Sequence, residues 1–204
     1  MTTLITDPWL ERRIRQDRCN RGIDGHDEIW DGVYVVMPPA DVEHQDVLTG
    51  LLVVLEFGVG QTGLGQVYPG VNVSDQEIDW ERNVRCPDIA VVMRDSSARD
   101  CDTHYFGGPD FLVEIVTPFD MTRDKLPFYG KVGVRELLLI DRNPWALELY
   151  KLQDGTLATV SQSTVKEPAL LASGVLPLSF RLLAGESRPR IEVIHRDGAQ
   201  HWIV

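Results

Sequence analysis

Residues 111–116, FLVEIV, constrain this chain more than any other stretch. Phe111, Leu112, Val113, Ile115 and Val116 form an apolar run of the kind that fills a buried strand. Glu114 stands in the middle of it. A carboxylate there must give up its water, and the cost is large unless a cation or hydrogen-bond donors compensate. Any fold for this chain must therefore bury the strand and supply Glu114 with a partner.

The surrounding pattern reads as one α/β domain. EIWDGVYVVMPP (28–39) is a hairpin turning at Asp31-Gly32, a favoured two-residue turn, and Pro38-Pro39 ends it. From Asp41 to Phe57 the period changes. His44, Val47, Leu48, Leu51, Leu52 and Leu55 recur as on one face of a helix, and Glu43 lies in its first turn beside that stripe. VYPGVNVS (67–74) is strand-like, and DQEIDWER (75–82) is an exposed acidic loop. NVRCPDIAVVM (83–93) is a strand with Pro87-Asp88 at its entry, and 94–109 is a loop or short helix. After the strand 111–118, residues 119–134 predict a short helix. Asp124 is its N-cap, with Lys125 and Pro127 in the first turn. RELLLID (135–141) and ALELYKL (146–152) are further strands. The remainder is additional β structure with a hairpin at Asp197-Gly198. Residues 1–27 are polar, with weak helical character around Trp9–Ile14.

With 204 residues, 43% hydrophobic and 25% charged, the chain suits one soluble domain. No run approaches the roughly 18 apolar residues of a membrane span, and the first residues lack a secretory layout, so a cytoplasmic location is expected. Cys19, Cys86 and Cys101 suggest reduced thiols rather than a disulfide framework. The net charge of −11 counts against a partner that is a polyanion.

Asp88 opens one apolar strand, and Glu114, 26 residues later, lies inside the next. Adjacent strands could bring the two acids together, and two acids that close repel unless a cation lies between them. A hard divalent ion accepts one or two carboxylates and a carbonyl, with substrate phosphate and water completing its shell. Pro87-Asp88, Glu114 in VEIVTP, Lys125 four residues before Tyr129, and Gly133-Val134 leading into ELLLID together resemble the Uma-two-like putative restriction endonuclease family. That family belongs to the PD-(D/E)XK nuclease superfamily. Glu43-His44-Gln45 and the Asp31-Gly32 hairpin also fit, and the resemblance spans roughly residues 24–180.

The resemblance implies a restriction-endonuclease-like fold: a mixed central sheet flanked by helices, with the N-terminal hairpin and extra C-terminal β structure. Residues 1–23 would be an N-terminal extension, 24–180 the domain, and 181–204 a β extension packed on it. It also implies a catalytic set of Asp88, Glu114, Lys125 and Glu43. Asp88, Glu114 and the Ile115 carbonyl would hold Mg²⁺ or Mn²⁺. Lys125 would orient or deprotonate the attacking water. The superfamily lysine usually sits two residues after the glutamate, where this chain has Val116; here the following helix would have to return Lys125 to the strand ends.

Other motifs carry less. GVGQTG (58–63) matches G-x-G-x-x-G but follows a helical period, so a turn is expected rather than a dinucleotide site. The five histidines lack zinc-site spacing, and there is no G-x-S-x-G elbow. His44 reads as a packed and hydrogen-bonded core residue rather than a ligand, and Asp88 alone could be only a turn residue. Three functions remain. The first is a metal-dependent endonuclease acting on DNA, as a possible homodimer whose groove draws on Arg123, Lys125, Lys131, Arg135, Arg181, Arg188, Arg190 and Arg196. The second is a binding module on the same fold. The third is hydrolysis of RNA or a small phosphodiester.

Overall fold

The computed structural model describes residues 2–117 and 121–204. The end of the expected strand at Pro118 and the expected helix start at 119–120 lie outside the described residues.

The chain opens with β1 (Thr3–Ile5) and α1 (Pro8–Asn20). The hairpin β2 (Glu28–Trp30) and β3 (Val33–Val36) follows, and then α2 (Val42–Leu55). Next come β4 (Gly65–Pro69), β5 (Val73–Ser74), β6 (Val84–Arg85), β7 (Ile89–Met93), β8 (Arg99–Asp100), β9 (Tyr105–Phe106) and β10 (Phe111–Ile115). A 3₁₀ turn at Thr122–Lys125 leads into α3 (Leu126–Val132). The chain ends with β11 (Glu136–Arg142), β12 (Trp145–Gln153), β13 (Thr156–Thr164), β14 (Leu171–Ala172), β15 (Leu178–Leu183), β16 (Arg190–His195) and β17 (His201–Ile203).

The described residues form three sheets. The central one has the order β13-β12-β11-β10-β7-β4 and is mixed, because β10 and β11 run parallel and its other pairs antiparallel. A second, β1-β3-β2-β6-β5-β9-β8, carries the N-terminal hairpin, and a third, β14-β15-β16-β17, lies near the C-terminus. The hairpin turns where expected: Asp31 and Gly32 both have positive φ, at 48° and 86°, as a type I′ turn requires.

Strand alternation sorts the central sheet into two faces. Phe111, Val113 and Ile115 join Ile89 and Val91 in one core with Val47, Leu51, Val54 and Leu55 of α2 and Phe180, Leu182, Ile191 and Val193 of the third sheet. Leu112 and Ala90 point the other way, into a core with Phe128 and Tyr129 of α3 and with Leu137 and Leu139. β10 is therefore buried along its whole length. Glu114 shares the parity of Leu112 and faces α3. Gly130 lets α3 approach closely, because a Cβ there would lie 2.7 Å from the Gly155 carbonyl oxygen.

Several expectations shift. NVRCPDIAVVM breaks at Cys86-Pro87-Asp88 into two strands, since proline donates no ladder hydrogen bond. Asp124 lies inside the 3₁₀ turn rather than capping α3, which begins at Leu126 with no side-chain cap. The weak helix near Trp9 is a full α1, capped by the Asp7 carboxylate on the Trp9 and Leu10 amides. Residues 1–23 are also tied in, because β1 pairs with β3. The 180/181 division falls inside β15. GVGQTG follows α2 as a π turn at Glu56–Gly60, so no strand precedes it.

Candidate active site

The ladder sets the site. β7 and β10 pair with Val113 opposite Ile89 and Leu112 opposite Ala90. One step further, the register sets Glu114 opposite Asp88, on the same face of the sheet. The Ile115 amide donates to Asp88 Oδ2 at 2.7 Å, so the aspartate side chain continues the ladder past Pro87. Asp88 Oδ1 lies 3.2 Å from His44 Nε2. His44 is held in turn from the start of α2, where Asp41 caps its amide at 2.8 Å and is gripped by Arg142 at 2.8 and 3.1 Å.

Glu114 is buried, and two neighbours answer its charge. Lys125 Nζ lies 3.1 and 3.4 Å from its two oxygens, and the Tyr129 hydroxyl donates to Oε1 at 2.6 Å. The lysine thus returns from the turn before α3 to the strand, nine residues later than the usual superfamily position at Val116. It also reaches Glu28 Oε1 at 2.9 Å. Glu28 is fully buried and accepts from the Cys86 amide at 2.9 Å and from the Trp30 indole N–H.

Burial pushes the Glu114 carboxyl up to about 8; Lys125 opposes that shift, while Asp88 and Glu28 add to it. Burial also works against charge on Lys125, but Glu114 and then Glu28 outweigh it and hold the lysine above its ordinary value. Lys125 is therefore held as an ammonium between these two carboxyl groups. Burial, then Glu114 and Glu28, pushes the Tyr129 phenol well up, so it remains a donor. The Cys86 thiol is pushed up to about 12 by burial and then by Glu28, which leaves it inert.

Asp88, Glu114, Ile115, His44 and Lys125 line one cleft of about 730 Å³, whose other wall includes Arg18 of α1. Glu28 lies behind Lys125, off the cleft. The Asp88 side chain is 21% exposed and that of Glu114 only 4%, so Asp88 presents the more open oxygens. Among the described residues, no three His, Cys, Asp or Glu side chains are arranged to hold a metal ion by themselves. The donor chemistry nonetheless fits a hard cation. Three carboxyl groups lie near one ammonium, and Asp88 and Glu28 add to the upward push that burial gives the Glu114 carboxyl, so a further cation beside them would relieve it.

Sequence reasoning placed Glu43 in this cluster, and the structure sets it elsewhere. Its carboxylate pairs with Arg142 Nη1 at 3.1 Å, is 44% exposed and does not line the cleft. Sequence reasoning missed Glu28 and the part of Tyr129, and expected His44 to be packed and hydrogen-bonded without naming Asp88 as its partner. The expected phosphate-binding cations are largely engaged too. Arg123 holds Asp141 and Glu148, Lys131 holds Asp75, Arg135 holds Asp110, and Arg181 holds Glu192. Arg196 donates to the Ser173 and Leu176 carbonyls, and Arg188 lies over the Trp145 ring.

Residues 17–184 match the Uma2 family, described as "Putative restriction endonuclease". The chain belongs to this family. The crystal structure of a putative nuclease belonging to DUF820 from Anabaena variabilis ATCC 29413 superposes with a TM-score of 0.52 at 18% identity, covering 68% of this chain and 76% of that one. The Uma2 member thus has the fold of that protein, the restriction-endonuclease-like fold that the sequence led us to expect. No curated protein matches the chain.

Proposed function

We propose that this Uma2-family chain is a metal-dependent endonuclease that hydrolyses phosphodiester bonds, with DNA as substrate and Mg²⁺ or Mn²⁺ as cofactor. The observation that carries the reading is the facing pair Asp88 and Glu114 at the end of two paired strands, in a cleft and with a charge deficit that suits a divalent ion. Asp88, Glu114 and the Ile115 carbonyl would hold it. In an extended strand a residue's N–H and C=O address the same neighbour, and the Ile115 N–H already bonds Asp88. The ion supplies a bound water of lowered pKa and a counter-charge for the phosphoryl oxygens.

The side chains do the rest. His44 and the Ile115 amide fix both oxygens of Asp88. Tyr129 and Lys125 fix Glu114 and reduce the repulsion between it and its acidic neighbours. The cleft has the volume of a small-ligand pocket, enough for the scissile phosphodiester and its flanking sugars. A cytoplasmic homodimer would give each strand of a duplex its own site.

A second reading, a nuclease-fold binding module, is favoured by one observation: Lys125 is fully committed to two carboxylates. Calorimetric titration with Mn²⁺ and cleavage assays on duplex DNA, single strands, RNA and a small phosphodiester decide between them. Asp88→Asn and Glu114→Gln should each lower Mn²⁺ affinity and cleavage by about 100-fold or more. Undiminished cleavage in both variants would sink the nuclease reading, and nucleic-acid binding without cleavage in any metal would establish the second.

A further inference from the structure

Helix α1 is out of keeping with the rest of this acidic chain. Between Pro8 and Arg21 it has five arginines against two acids, in a protein of net charge −11. It has no buried residue. Its inner edge is set by Ile14, which packs on Ile5, Ile29, Tyr34 and Val84, and by Arg18, whose guanidinium holds Asp27 and donates to the Ile23 carbonyl at 2.7 Å. At 100° per residue, Trp9, Arg12, Arg13, Gln16 and Asn20 fall together on the opposite side. Asp17 flanks that stripe and is paired with Arg21 at 3.4 Å. Trp9 is 58% exposed and the Arg13 guanidinium lies 4.7 Å from its ring centre. Among the described residues Arg12 has no ion-pair partner, whereas most of the cations near the cleft do.

We propose that the outward face of α1 binds the sugar–phosphate backbone of a polynucleotide, with Arg12 and Arg13 on phosphates and Trp9 as a stacking platform for an unpaired base. This rests on the nuclease reading for its link to the cleft: Arg18, on the inner edge of the same helix, lines the site. A helix is about 10 Å across, which corresponds to roughly three nucleotide steps of one strand. A strand with its phosphodiester in the cleft therefore reaches the stripe within a few nucleotides. The charge complementarity is local, which reconciles a polyanionic partner with an acidic body. The stripe from Trp9 to Gln16 precedes the stretch matched by the family, residues 17–184, so it is a feature of this chain and not one carried by the family match.

The test is fluorescence anisotropy of a short labelled single strand and its duplex, in EDTA and across a range of salt. Arg12→Gln/Arg13→Gln should weaken duplex binding on the order of 50-fold at about 0.1 M salt and lower the salt slope by about 1.8, or about 1.4 for the single strand. Arg12→Lys/Arg13→Lys should keep the slope. Trp9→Ala should weaken the single strand by about fivefold or more. An unchanged slope and affinity in the glutamine variant, or no binding of either polymer by the wild type at that salt, overturns the proposal. Because metal is absent, the two readings fail separately. Arg-dependent binding in a protein that cleaves nothing removes the nuclease and leaves this surface. Cleavage with binding indifferent to these arginines does the reverse.

Discussion

Lys125→Met tests whether the ammonium is what makes the acidic cluster tolerable. Methionine has similar length and no charge. Lys125 is 2% exposed, between Glu28 at 0% and Glu114 at 3%, so removing it leaves two buried carboxylates without their shared cation. Breaking a buried pair by deleting one partner costs roughly 3–5 kcal/mol, a large part of the roughly 5–15 kcal/mol that holds a domain together. With a urea slope of about 2 kcal/mol per M, the midpoint should fall by roughly 1.5–2.5 M at pH 8. The loss should depend on pH with a definite sign. Without the lysine, the Glu114 carboxyl rises further above the unfolded value near 4.3, so the folded state retains a proton that the unfolded chain has released. The variant's stability must therefore fall as pH rises from 5 to 8, more steeply than the wild type's. Urea melts at those two pH values read this directly. A midpoint drop below about 0.5 M, or one equal at both pH values, refutes the argument that Lys125 is present to balance buried charge.

Three smaller tests probe the surroundings. Glu43→Gln should leave Mn²⁺ affinity and cleavage within about threefold of wild type and cost under about 1 kcal/mol, because the residue makes only a half-exposed pair with Arg142; a loss like that of Asp88→Asn would return Glu43 to the site. The Asp41 carboxyl is lowered to about 2, first by its hydrogen bond from Arg142 and then by the His44 amide. Its contribution should be intact above about 3.8 and lost as pH falls through 2, and it is small because the side chain is 52% exposed; Arg142→Gln should move the Asp41 carboxyl resonance midpoint upward in an NMR titration. Phe111→Ala should cost roughly 3–5 kcal/mol in a urea melt, since the ring is fully buried and stacks on Phe180 at 5.9 Å.

What the sequence displayed was local order repeated often enough to be periodic. The α2 stripe of Val47, Leu51 and Leu55 and the apolar run around Glu114 each declare their element within a dozen residues, and the turns at Asp31-Gly32 and Asp197-Gly198 declare their backbone chemistry. Strands β5, β6, β8 and β9 have two residues each, too few for alternation to register. Glu28 was hidden for a related reason. It is one acid at the head of a three-residue strand, and only the pairing of β2 with β6 and the return of Lys125 disclose its place. The single signal available was an acid in a strand just ahead of a tight turn, next to Ile29 and Trp30. Glu43 fails the other way. Helical phase set it beside the stripe, but a partner 99 residues away, Arg142, draws it outward, and no local pattern encodes that choice.

The arrangement also explains why the acids are divided as they are. A site that binds a divalent ion needs negative charge in excess, and excess buried charge destabilises the fold that presents it. Here the two functions are separated in depth. Glu28 and Glu114 lie in the wall, where Lys125, Tyr129, the Cys86 amide and the Trp30 indole occupy their oxygens. Asp88 stands at the mouth, partly exposed, with the Ile115 amide and His44 as its partners among the described residues. The deep ammonium joins Glu28 and Glu114, and Asp88 is left to face the cleft. Glu114 belongs to both layers, so under the proposed function its neighbours would set how strongly the site attracts a cation. If that site holds the ion proposed for it, Mn²⁺ should recover part of the stability that Lys125→Met loses, because it would restore a cation beside Glu114, a rescue that a site built only for stability would not show.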